Sequence, residues 1–171
     1  MQSIIARDKI KLAKLEMIIA SKKNGISLLA VDSDKLAQEF ISYLVKKFNI
    51  KEIKDKTRIL YDLSYDEKYT SKNTYVSNIY KVDDEKKIID NLQFDRDFIP
   101  ENNIKIIIIL SQEMLIKLQE YGDLYSTIKF SHFFKDHSIK ETKQGFASER
   151  LLRLIKQYEK HISQTGTQAS K

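Results

Sequence analysis

The chain has 171 residues, 42% of them hydrophobic, with one proline, four glycines and no cysteine. That is enough apolar material for one domain with a sizeable core and too little chain for two ordinary domains. Without cysteine there are no disulfides or thiolate metal sites, and His132, His137 and His161 are spaced too widely for a zinc-type cluster, so a cytoplasmic setting is expected.

Charge needs its distribution as well as its total. The net charge is +6, yet residues 1–60 carry 13 basic and 7 acidic side chains, residues 61–120 carry 8 and 12, and residues 121–171 carry 9 and 5. Nearly all the cations are lysines mixed with carboxylates, and only Arg7, Arg58, Arg96, Arg150 and Arg153 offer bidentate contacts. This pattern reads as solvated surface, which leaves a basic nucleic-acid-binding protein as the third-ranked reading. The opening segment has lysines among its apolar positions and reads neither as a signal peptide nor as a membrane span, so no membrane partner is expected.

In chain order, residues from Ile4 to Ala20 place Leu12, Leu15 and Ile19 at helical spacing, which predicts an amphipathic helix packed on a sheet. Ser27 to Asp32 is a short apolar run that suits a strand buried on both faces. Leu36, Phe40, Leu44 and Phe48 recur every four residues and predict a helix from Asp34 to Phe48, with Ser33 or Asp34 as its N-cap. Thr57 to Leu63 and Asn73 to Val82 are the next strand candidates. Asp83, Asp84 and Glu85 then open a helix that is expected to continue to Pro100. Ile104 to Leu110 is the strongest strand and belongs in the centre of the sheet, because on an edge it would aggregate. Ser111 caps a helix over Gln112 to Tyr121, an aromatic group follows at Tyr125, Phe130, Phe133 and Phe134, and a last helix spans Ser148 to Ile162.

Strands alternating with helices of this length imply right-handed βαβ units. The expected fold is therefore α/β, a three-layer sandwich with a mostly parallel sheet of about four strands, plus a C-terminal amphipathic helix. Residues 1–138 would form the core and 139–171 the C-terminal helix and tail.

This layout is that of a phosphate-handling fold, but the phosphate loop is missing. Gly25, Gly122, Gly145 and Gly166 are the only glycines, and none follows a predicted strand. There is no G-x-x-x-x-G-K-[ST] and no G-x-G-x-x-G to cradle a phosphate at a helix N-terminus. The residues just past the strands are acidic instead. Asp32, Asp34 and Asp62 would have to converge to hold Mg²⁺, which defines the alternative reading of a phosphotransfer or nuclease-type enzyme. Asp and Ser in these places also serve as helix caps. Arg96, between Asp95 and Asp97, reads as an ion pair at a helix end.

The stretch LQFDRDFIPENNIKIIIILSQEMLIKLQEYGDLYSTIKFSHFF resembles a pattern in degenerate P-loop-NTPase-like domains of bacterial signalling and antiviral-defence proteins. The matching positions are Leu92 to Asp97, Ile104 to Leu110, Met114 to Gln119 and Asp123 to Phe134, and the last of these would form an aromatic turn and hairpin. LEMIIASKKNGISLLAVDSDKLAQEFISYL is similar to the opening helix, glycine turn and first strand of the same family, and together the two stretches cover about 70 residues. The acids at the Walker B position fall after the strand, at Asp83 and Asp84, and the chain has no tryptophan for the aromatic turn. The resemblance implies a regulatory or adaptor module that acts by protein contacts and uses no cofactor. Read from its own residues, the last helix carries an apolar face of Leu151, Ile155, Tyr158 and Ile162 flanked by cations, which would either meet another protein or a second copy of the chain, or close the core.

Overall fold

The structure is a computed structural model that describes residues 6–21, 24–56, 74–137 and 153–160. It divides into two compact units, Met1–Asp136 and His137–Lys171. In the first unit the order is α1 (Ala6–Ala20), β1 (Gly25–Val31), α2 (Asp34–Phe48), β2 (Lys51–Ile53), β3 (Thr74–Asn78), α3 (Glu85–Phe94), α4 (Phe98–Glu101), β4 (Lys105–Ser111), α5 (Gln112–Gln119), α6 (Gly122–Tyr125) and β5 (Ile128–Phe134). The second unit contains α7, a helix over 153–160.

The strands form one all-parallel sheet in the order β2-β3-β4-β1-β5. Parallel strands buried on both faces are apolar at every position, and this is why β4 and β1 carry no alternation. Leu28, Ala30, Ile106, Ile108 and Leu110 face a core closed by α3, α4, α5 and α6. Leu29, Val31, Ile107 and Ile109 face the other core, closed by Leu15 of α1 and by Leu36, Phe40 and Leu44 of α2. The result is the three-layer α/β arrangement, with β4 in the middle of the sheet.

Three details differ from the sequence-based expectation. Among the described residues the sheet has five strands rather than about four, because β2 forms from only Lys51–Ile53 and β5 adds an edge. The helix expected to reach Pro100 stops at Phe94, where Asp95 caps it, and α4 begins four residues later at Phe98 with Pro100 inside it. The aromatic segment is not a hairpin: it pairs parallel to β1 as β5, with Phe130 and Phe134 in the core and the Phe134 ring edge-on to Phe40 at 4.9 Å. Strand candidate Thr57 to Leu63 lies outside the described residues.

Two residues at strand starts show how the chain is fixed there. Gly25 opens β1 at φ +134, a backbone conformation that L side chains rarely adopt, and a Cβ there would lie 2.9 Å from Lys129 Cγ. Lys105 reaches back from the start of β4 and donates to the carbonyls of Ile19 (2.8 Å) and Ser21, closing the end of α1 with a cation. No helix among the described residues is long and apolar enough to cross a membrane.

Candidate functional site at the carboxyl ends of the strands

In an open parallel sheet, ligands bind outside the carboxyl ends where neighbouring strands send their chains to opposite faces. Here that point lies between β1, which leads into α2 on one face, and β4, which leads into α5 on the other. A phosphate cradle would need a loop between β1 and α2. Only Asp32 and Ser33 separate Val31 from Asp34, so the chain passes directly from strand to helix.

That short turn is occupied by its own hydrogen bonds. Ser33 is the N-cap of α2, in extended conformation, and its Oγ accepts from the backbone N–H of Leu36 at 3.0 Å. The same hydroxyl donates to Asp136 Oδ2 at 2.8 Å. Asp136 follows β5 and is 1% exposed, and its backbone N–H donates to Asp32 Oδ1 at 2.8 Å. A buried protein carboxylate therefore stands beside the amino end of α2, where a bound phosphate would need unoccupied N–H groups.

Two further helix starts are capped in the same way. Ser111 Oγ accepts from Met114 N–H at 3.1 Å at the start of α5, and Asp84 Oδ1 accepts from Lys87 N–H at 3.0 Å at the start of α3. After β3, buried Asn78 accepts the backbone N–H of Tyr80 at 3.0 Å. Burial pushes the Tyr80 hydroxyl pKa up, and the nearby charges of Asp32 and Asp34 push it further in the same direction. Next to it opens a cavity of about 620 Å³ lined by Lys56, Tyr80, Lys81, Asp83, Asp84 and Ile88.

Of the metal candidates, Asp32 and Asp34 both act on Tyr80 by charge, one oxygen of Asp32 already accepts from the Asp136 N–H, and Asp62 lies outside the described residues. No group of three His, Cys, Asp or Glu side chains suited to a metal ion occurs among the described residues. Arg96 sits at the end of α3, where its Nη1 donates to the Gln93 carbonyl at 3.2 Å and its Nε lies 3.9 Å from Asp97. On β5, His132 packs edge-on to Phe130 with ring centroids 4.5 Å apart, and burial, followed by the charges of Lys11 and Lys14, holds its pKa below the usual value.

In the second unit all eight described residues of α7 are exposed, with Ile155 at 43% and Tyr158 at 68%; Leu151 and Ile162 lie outside the described residues. The residue that sequence reading missed is Asp136. It lies in a polar stretch after an aromatic run, and nothing local marks it as the partner of a serine 103 positions earlier. No protein-family model, curated protein or solved structure matches the chain.

Proposed function

We propose that this chain is a non-catalytic regulatory or adaptor domain of a bacterial signalling or antiviral-defence assembly, built on a degenerate P-loop-NTPase-like core and acting through protein contacts. The observation that carries the proposal is the closure of the β1–α2 turn. Ser33 Oγ takes the Leu36 N–H at the amino end of α2, Asp136 places a buried carboxylate against Ser33, and two residues of connection leave no loop to wrap a phosphate. A nucleotide triphosphate brought to this end would meet the negative charge of Asp32, Asp34 and Asp136. A hydrolysis assay with Mg·ATP tests the reading. No turnover above background is expected, and turnover that disappears in Asp32→Asn would favour the Mg²⁺-dependent enzyme instead.

The contact surface in this reading is α7. Leu154, Ile155 and Tyr158 are exposed on one side of the helix, as befits a face that meets another protein. Replacing both Ile155 and Tyr158 by Ser should leave circular dichroism and melting temperature nearly unchanged, because neither side chain is buried. Affinity capture or sedimentation should show the association lost. A double variant that melts early, with association following only the folded fraction, would assign the face to a core.

A further inference from the structure

Helix α1 has two apolar faces, and only one is covered. Leu15 is fully buried, and Leu12, Ile18 and Ile19 pack against the same core. On the other side Ile10, Ala13, Met17 and Ala20 are all exposed, with Ile10 at 62% and Met17 at 71%. Their steps of three, four and three residues line up one seam along the helix, in the spacing by which helices pair. Scattered exposed apolar residues are ordinary on any protein, but a continuous seam at this spacing is not.

The borders of the seam carry the chemical information. Lys9 and Glu16 lie along one side and Lys14 along the other; the two lysines are exposed, while Glu16 already accepts from Lys47 and Tyr43 of α2. The alanines leave room for a close approach, while the lysines set the charge that an approaching surface must bring. We propose that the outer face of α1 docks an amphipathic helix of a partner protein whose apolar stripe is bordered by carboxylates. A second copy of α1 would bring Lys9 against Lys14 in a parallel pairing, and in an antiparallel one would bring Lys9 against Glu16, whose charge Lys47 already meets. Helix α7 of a second copy carries Arg153, Lys156 and Lys160 against a single acid, Glu159, so it too is a poor match. A seam on one helix of 15 residues is small against standard interfaces of about 1,200–2,000 Å², so the complex should exchange quickly and depend on salt. This surface lies on the core unit and does not depend on the contact assigned to α7.

The test uses two synthetic helices of about three heptads, with Leu and Ala at the seam positions and either Glu or Lys at every bordering position. Fluorescence anisotropy should show the Glu-bordered peptide binding the intact chain, with affinity falling several-fold between about 0.05 and 0.3 M salt. The Lys-bordered peptide should not bind. Ile10→Gln together with Met17→Gln should abolish binding at unchanged melting temperature, and Lys9→Glu with Lys14→Glu should reverse the preference between the peptides. Equal binding of both peptides, binding of neither, or a wild-type dimer that Ile10→Gln dissociates would overturn the proposal.

Discussion

Ile108→Asp should unfold the core unit at room temperature. Ile108 is fully buried in the central strand, paired with Leu28 on β1 and Ser77 on β3, and it faces the core closed by α3 and α5. An unpaired carboxylate there costs several kcal/mol in addition to the lost apolar burial, against a total stability of about 5–15 kcal/mol. Thermal denaturation followed by circular dichroism gives the readout. Ile116→Asp on the exposed side of α5 is the matched control and should melt close to wild type. An unchanged melting temperature for Ile108→Asp would remove β4 from the centre of the sheet.

Asp136→Ala should destabilise the core unit by about 2–3 kcal/mol, since it leaves the buried Ser33 hydroxyl without its charged acceptor. Asp136→Asn retains an oxygen for Ser33 and should lose less than half of that. Ser33→Ala removes both the helix cap and the donor and should cost about 1–2 kcal/mol. Because the two residues share one hydrogen bond, the double variant should cost less than the sum of the single ones, as urea denaturation would measure. Strictly additive losses would mean that the clasp between β5 and the β1–α2 turn contributes nothing.

Much of this architecture is legible because its signals are local. The isoleucine run of β4, the four-residue recurrence in α2 and the capping positions of Ser33, Asp84 and Ser111 all follow from neighbouring residues. Strand β2 is not legible, since three residues give no periodicity to read. The outer seam of α1 is hidden for a different reason: apolar residues on both sides blur the amphipathic pattern, and burial alone tells the covered face from the open one. At the strand ends, Asp32 and Asp34 are visible as acids after a strand, but the partner of Asp32 is fixed by the parallel pairing of β1 with β5. That pairing brings Asp136 beside a turn 104 residues away, and only the fold expresses it. A carboxylate that reads as a metal ligand in sequence thus serves as an acceptor for the chain leaving the sheet.

The central claim is that the protein's own residues close the amino end of α2 against phosphate. Its most direct measurement is a titration of ¹⁵N-labelled protein with Mg·ATP, following the backbone amides of residues 33–37. Those resonances should stay in place up to millimolar nucleotide, with at most weak, salt-sensitive shifts elsewhere on the surface. A saturable shift of the Lys35 and Leu36 amides at micromolar ATP would show that phosphate reaches this helix end, and the account of a closed, non-catalytic core would fail.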